Sequence, residues 1–405
     1  MGNELGTGLF AGLKVIDCAS FIAAPLAATV LSDFGADVIK IEPPGEGDAY
    51  RSLATRPGAA PAELNYGWVM GSRNKRSIAL DLKSAEGVAI LYKLVADADV
   101  FITNLPLPVR RRLKVSYEDL APRNDRLIYA SFTAYGETGP EADKTGFDST
   151  AYWARSGLMD LVKPEASSPP ARSVAGMGDH PSAMALYGAI VTGLYKRQQT
   201  GKGMQVTSSL LANGLWSNGF LVQARLVGAV IPPRPPRHET QTAMTNLYRT
   251  RDDRWFNLAM VNDVKQYPVL VEALGRPDLA TDPRFDTSDK RRAQATLMLS
   301  IFDEIFGAMD LADIRKKLDA AGITFGIIAT LDETLDDEQM RAAEAIVPSA
   351  DGAYEVVNSP INIGGETKVK PGPPPELGQH SDEILRQAGY SDSDISRLRG
   401  ARVVT

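Results

Sequence analysis

The stretch "GMGDHPSAMALYGAI" (176–190) sets an acid and a histidine, Asp179 and His180, on a glycine turn that opens an apolar helical run. A carboxylate in that place has two uses. As a cap, its oxygens accept hydrogen bonds from the first free N–H groups of the helix, and its charge suits the helix dipole. As a nucleophile, it attacks an electrophilic carbonyl while backbone donors of the same turn, around Gly178, stabilise the oxyanion that forms. His180 and Ser182 stand too close together in sequence for the usual nucleophile and base geometry, which leaves His180 a packing or supporting residue. Local sequence alone favours the cap.

Two basic clusters come next. "GSRNKRSIALDLKS" (71–84) places Arg73, Lys75 and Arg76 just before a strand, and "LPVRRRLKV" (107–115) adds three arginines in a loop after another. The plain alternative for such runs is a solvated turn. Two clusters in one half of a chain with net charge −6 point to a local anion site, with the phosphates of a nucleotide-like molecule as its occupant. A third segment, "AYGETGPEADKTGFDST" (134–150), is a glycine-rich loop after a strand that contains Asp148 near its end, and loops at strand ends are where chemistry concentrates.

Composition removes other chemistries. The single cysteine, Cys18, forbids an intrachain disulfide, and with three scattered histidines no Cys/His spacing suits structural zinc, so no metal is expected. Cys18 reads as a packed small hydrophobe. The acidic balance gives no global attraction to nucleic acid or to an anionic membrane. "MGNELGTGLF" has no charged segment followed by a long apolar run, and the expected setting is the cytoplasm.

The elements that must position these residues alternate. "LKVIDCA" (13–19), "DVIKIE" (37–42), "RSIALDLKS" (76–84), "DVFITN" (99–104) and "RLIYASFTAYG" (126–136) read as strands, with helices over 25–36 and 85–98 between them. This is the pattern of an α/β fold with a doubly wound parallel sheet. After the first strand stands "FIAAPLA" and not GxGxxG, so NAD is not expected despite the topology. A helix over 182–200, the strand-like "MQVTSSLL" and a long helical segment around 209–229 follow. Beyond the proline-rich "IPPRPPRHET" (231–240), a hairpin turning at "RDDR", helices over 264–274, 290–307 and 309–323, and the strand "TFGIIAT" predict a smaller α+β domain. The expected division is a large Rossmann-like domain from 1–205 with 365–405, a linker over 206–234, the small domain over 235–345 and a return linker over 346–364.

Several of these blocks in order, among them "LKVIDCASFIAAPLAATVLSDFGADVIKIEPPGEGD", "NKRSIALDLKSAEG", "YGETGPEADKTGFDSTAYWARSGLM", "GMGDHPSAMALYGAIVTGLYKRQQTGKGMQV" and "LGQHSDEILRQAGYS", resemble the family III CoA-transferases. That group is typified by formyl-CoA transferase and the carnitine and bile-acid CoA-transferases and also holds α-methylacyl-CoA racemase. The resemblance runs from residue 12 to about 400 and is weakest from 230 to 360.

The resemblance implies a Rossmann-like large domain built from both chain ends, a small domain, and a homodimer of two chains interlocked like rings, with a heteromer of related subunits as the alternative. It implies that Asp179 is the nucleophile, that coenzyme A enters as acyl-CoA, and that Lys75, Arg112, Ile22 and Arg73 lie on the CoA side. Asp148, Gly178, His180 and Phe147 would surround the reacting carbonyl. Ile22 stands where formyl-CoA transferase has glutamine and Asp148 where it has glutamate, which sets this chain apart from that enzyme. The racemase branch carries a histidine in "GHD", where this chain reads "GFD" at 146–148, so Phe147 cannot exchange an α-proton. CoA transfer between an acyl-CoA and a carboxylic acid is therefore the expected activity. The alternatives are an isomerase of the same family, by racemisation or intramolecular CoA transfer, and a non-catalytic CoA-binding subunit of a heteromer. Arg51, Arg155 and Arg172 lie near these segments and are candidates to pair with a second substrate carboxylate, the plainer use being surface ion pairs.

Overall fold

A computed structural model describes residues 8–405; the first part of the N-terminal segment, residues 1–7, lies outside the described residues. Short runs rich in β-branched and aromatic residues form the strands of the main sheet, the inner ones buried on both faces as a parallel sheet requires. They are β1 (Lys14–Asp17), β2 (Asp37–Glu42), β3 (Arg76–Ala79), β4 (Val100–Thr103), β5 (Ile128–Thr133) and β6 (Met204–Ser209). The order across the sheet is β3-β2-β1-β4-β5-β6, all parallel. The order reverses between β1 and β4, so the loops leaving their carboxyl ends part and open a crevice.

One face of the sheet is covered by α1 (Ala23–Asp33) and α5 (Asp179–Thr200). Ala23, Ala24, Ala27 and Ala28 are small enough to let α1 lie close, and Leu186, Ile190 and Leu194 close the same core from α5. Between these in the chain come α2 (Tyr66–Ser72), α3 (Ala85–Val95) and α4 (Leu107–Leu113). The other face is covered by α3 through Ile90, Leu91 and Val95, together with Ile384, Leu385, Ile395 and Leu398 from the C-terminal 381–400 segment.

The described chain divides into a unit over 8–162, 170–229 and 339–405 and a second over 163–169 and 230–338. Residues 206–229, expected as linker, belong to the first unit for a packing reason. The expected long helix is broken at Asn218 into α6 (Leu210–Ser217) and α7 (Gly219–Leu226), with the Asn218 amide donating to the Ser156 carbonyl at 2.9 Å. Gly214 of α6 lies so close to the Tyr152 backbone that a Cβ there would meet its carbonyl oxygen at 2.3 Å. The second unit pairs β7 (Thr245–Arg249) with β8 (Trp255–Ala259) as a hairpin and adds β9 (Phe325–Ile327) antiparallel. Its core is aromatic: Phe256 and Tyr248 each lie 4.9 Å, centroid to centroid, from Phe306. No helix among the described residues is long and apolar enough to cross a membrane.

Where the sheet meets the crevice, the interior is charged. Lys40 on β2 is fully buried, ion-paired to Asp48 at 2.9 Å and to Asp17 at 3.7 Å, and it donates to the Ala19 carbonyl at 2.7 Å. Lys75, equally buried, donates to Asp17 at 2.9 Å and to the Pro25 and Gly71 carbonyls. Burial opposes the charge on Asp17, yet Lys40 and Lys75 together hold its carboxyl below the usual range. Removing one partner of such a cluster strands the others without solvent. Lys40→Met is expected to lower the free energy of unfolding by about 3–5 kcal/mol in chemical denaturation, and a loss no larger than that of a surface substitution would show that the cluster does not hold the fold.

Candidate active site

A cavity of about 220 Å³ lies in the crevice, lined by the loops after β1, β4 and β5 and by Asp179 at the start of α5. The loop after β1 makes its tight turn without glycine. Phe21 occupies the left-handed region at φ 63, a conformation that costs a bulky residue free energy and persists only when its surroundings hold it. They do so by hydrogen bonding. The Phe21 N–H donates to Asp48 Oδ1 at 3.1 Å, the Ser20 N–H donates to Asn104 Oδ1 at 2.8 Å, and the Asn104 amide returns a bond to the Ser20 carbonyl at 2.7 Å. Asp17 takes the Ala19 N–H and Lys40 the Ala19 carbonyl, so the buried charges and Asn104 together hold the Ala19–Phe21 backbone.

Asp179 begins α5 directly after Gly178, and Asp148 begins the π-helical turn Asp148–Ala154. The two turns touch: the Gly178 N–H donates to Asp148 Oδ2 at 3.4 Å, and a Cβ on Gly178 would meet Tyr152 at 2.7 Å and Asp148 at 3.0 Å. Only glycine fits there. The Gly178 N–H, expected as an oxyanion donor, is thus directed at Asp148, while the Asp179 N–H has no backbone partner among the described residues. Burial, and after it the neighbouring Asp148, pushes the Asp179 carboxyl up to about 7. An ordinary aspartate is ionised throughout the neutral range, whereas this one titrates within it. His180 folds back over Gly176, its Nε2 3.1 Å from where a Cβ on Gly176 would stand, and burial lowers its pKa and favours the neutral ring. It packs the turn and keeps Gly176 free of a side chain.

The other expected residues divide. Ile22 and Phe147 line the cavity with Asp179. Phe147 is 61% exposed and meets the Phe21 ring edge-on at 6.0 Å. Arg112 lies exposed in the last turn of α4. Lys75 and Arg73, expected on the CoA side, are interior cations. All three Lys75 donors are taken, and Arg73 forms a two-pronged pair with Asp33 at 2.8 and 2.7 Å. Arg73 follows α2 directly and Lys75 stands one residue before β3, and both side chains are buried. Arg110, beside Arg112, is buried as well, held by Glu137 at 2.8 Å and by the Phe132 carbonyl. Of the arginines proposed for a second substrate carboxylate, Arg51 is committed to Glu42 at 2.7 and 2.8 Å and stacks on Trp68 at 3.9 Å, and Arg155 pairs with Glu141 at 2.9 Å. Arg172 is exposed and does not line the cavity. Among the described residues no group of three or more His, Cys, Asp or Glu could hold a metal ion.

Sequence reasoning passed over Phe21, Asn104 and Asp48. The signal for Phe21 was available as an absence, since a turn that elsewhere uses glycine must strain whichever residue replaces it.

Comparison with known proteins gives the family. A model of CoA-transferase family III matches residues 10–381. The chain is 32% identical over 400 residues to (R)-2-hydroxy-4-methylpentanoate CoA-transferase of Clostridioides difficile, covering 98% of this chain and 99% of that one. It is 32% identical over 403 residues to cinnamoyl-CoA:phenyllactate CoA-transferase of Clostridium sporogenes, covering 98% and 97%. Among solved structures, a CAIB/BAIF family protein from Brucella suis superposes with a TM-score of 0.82 at 28% identity, over 96% of this chain and all of that one.

The raised Asp179 pKa couples the site to stability. A carboxyl that binds its proton more tightly folded than unfolded destabilises the fold increasingly as pH rises from its ordinary value to about 7. Asp179→Asn removes that penalty and is expected to stabilise the protein by up to about 4 kcal/mol at pH ~8 but by less than about 2 kcal/mol at pH ~5. Equal gains at the two pH values, in denaturant titrations, would contradict the shifted carboxyl.

Proposed function

The chain belongs to CoA-transferase family III, and on that premise we propose that it moves CoA from an acyl-CoA thioester to a carboxylic acid through covalent chemistry on Asp179. The observation that carries the proposal is the place of Asp179: a half-buried carboxylate at the first residue of α5, facing the cavity where the sheet order reverses.

In the first step an Asp179 oxygen attacks the thioester carbonyl. The carbonyl oxygen becomes an oxyanion, which the Asp179 N–H at the positive end of the helix is placed to receive. Collapse breaks the C–S bond, expels CoA thiolate and leaves an acyl-aspartyl anhydride. The thiolate attacks the aspartyl carbonyl of that anhydride, the donor acid departs as its carboxylate, and an aspartyl-CoA thioester remains. The acceptor carboxylate reverses both steps and frees Asp179. One thioester is exchanged for another, so no external energy source is needed.

Asp148 fits as a tuning residue. Its charge raises the energy of the Asp179 carboxylate beside it, which makes the resting nucleophile less comfortable than the neutral anhydride it becomes. Arg112 is a candidate for the CoA phosphates. Lys75 and Arg73 act from the interior by shaping the loops. Phe147 has no exchangeable proton to offer an α-carbon, which separates this site from a His/Asp racemase.

A dimer of this chain belongs to the same proposal. Trp216 is 87% exposed on α6, and Phe220 and Leu226 are 86% and 74% exposed on α7, large apolar side chains of the kind a partner chain covers. Trp216→Glu is expected to shift the sedimentation coefficient toward that of a monomer; a monomeric wild-type protein would contradict the dimer.

The covalent step is tested by incubating the protein with a panel of acyl-CoAs, quenching with hydroxylamine and locating the modified peptide by mass spectrometry. A hydroxamate at Asp179, absent in Asp179→Asn along with at least ~10³-fold of the activity, is the expected result. Modification of another residue, or none with transfer intact, would remove Asp179 from the chemistry. Because the attacking form is the carboxylate, kcat/KM should rise with pH to a plateau above about 7, and Asp148→Asn should move that rise to lower pH. An unmoved profile would show that Asp148 does not face the nucleophile.

A further inference from the structure

We infer that the Asp179 cavity selects an apolar acyl group, aromatic or branched, through a wall formed by Phe21 and Phe147, and disfavours acids that carry a second carboxylate; this rests on the CoA-transfer reading and narrows it. The lining is apolar on most sides: Phe21, Ile22, Leu105, Phe132, Phe147 and Leu210 surround the space beside Asp179. Its volume of about 220 Å³ exceeds the ~150 Å³ cavity that is known to hold a benzene ring.

Electrostatics points the same way. Among the described residues the one cation in the lining, Lys144, is paired with Glu141 at 2.9 Å and lies over the Tyr135 ring at 5.2 Å. A second carboxylate on the substrate would meet apolar walls, with the Asp179 carboxyl and the already paired Lys144 as the charged groups of the lining, and burying an uncompensated charge there is unfavourable. The arginines that could have answered it, Arg51 and Arg155, are committed to Glu42 and Glu141.

The wall is also held in place. Phe21 is fixed in a left-handed turn by the Asp48 and Asn104 bonds to its loop, and its ring meets Phe147 edge to face, a favoured aromatic geometry. A glycine would make the same turn without strain, so the ring is the one thing the strained residue adds. Ring position then follows from the buried ions behind the loop and not from the mobility of a surface side chain.

The test compares 3-phenylpropionyl-CoA, 4-methylpentanoyl-CoA and succinyl-CoA as donors to one acceptor, with hydroxylamine trapping on the same samples. The wild-type protein should label Asp179 and favour the two apolar donors in kcat/KM. Phe21→Gly, which relieves the backbone while removing the ring, and Phe147→Ala, at an exposed position, should each lower the apolar-to-succinyl ratio by about tenfold or more, mainly through KM for the apolar donors. No label from any thioester would overturn the CoA-transfer reading and this inference together. Labelling with succinyl-CoA at least as effective as the apolar donors would overturn the inference alone. An apolar preference that survives both variants would overturn the role of the wall. A merely structural role for either ring would change kcat/KM for all three donors by the same factor.

Discussion

The Lys40 ammonium, sealed in the interior with Asp17 and Asp48, is the interaction on which the geometry of the crevice depends. Burial alone would drive the proton off a lysine, yet Asp17 and Asp48 hold its pKa above the ordinary value. Each partner then spends its remaining valence on the loop after β1: Asp17 on the Ala19 N–H, Lys40 on the Ala19 carbonyl, Asp48 on the Phe21 N–H. In other doubly wound sheets glycines make that turn and a phosphate meets the bare backbone. In this chain the Ala19, Ser20 and Phe21 N–H groups are already satisfied from inside, and the loop presents the Phe21 and Ile22 side chains to the crevice.

The opposite wall is set by burial and by repulsion. Asp179 and Asp148 are brought together because Gly178 lets the α5 turn lie against Tyr152 and because the Gly178 N–H binds Asp148. Burial, and after it the charge of Asp148, raises the pKa of the Asp179 carboxyl. The fold keeps an aspartate in a form it does not favour, at the end of a helix whose dipole softens the penalty. Stability is lost at the position where reactivity is gained, which is the usual place for such a conflict.

Much of the scaffold was legible in the sequence because it is periodic. The apolar runs at β1, β2, β4 and β5 and the helices between them declare a parallel sheet, and "GMGDH" declares a glycine turn before a helix. The family blocks directed attention to Asp179, and the structure puts it on the cavity. Charge was harder to read. Lys75 and Arg73 look like surface donors in the run "GSRNKRSIAL", but both are buried just ahead of β3, and their acids, Asp17 and Asp33, lie more than a helix away in sequence. The break at Asn218 was hidden for a similar reason, since its partner is the Ser156 carbonyl and nothing local marks it. The pKa of Asp179 depends on Asp148, thirty-one positions earlier, and no local pattern links the two.

If Asp179 is covalently part of each turnover, heavy oxygen passes through its carboxyl. If the acceptor is supplied with both carboxylate oxygens as oxygen-18, the acceptor-aspartyl anhydride forms through a labelled oxygen, and when CoA takes the acyl group that oxygen stays behind on the enzyme. Peptide mass spectrometry after turnover should therefore find oxygen-18 in the Asp179 carboxyl, with Asp148 unlabelled. Product formation with no label in Asp179 would mean that CoA passes between donor and acceptor without the aspartate, and would contradict a covalent role for Asp179.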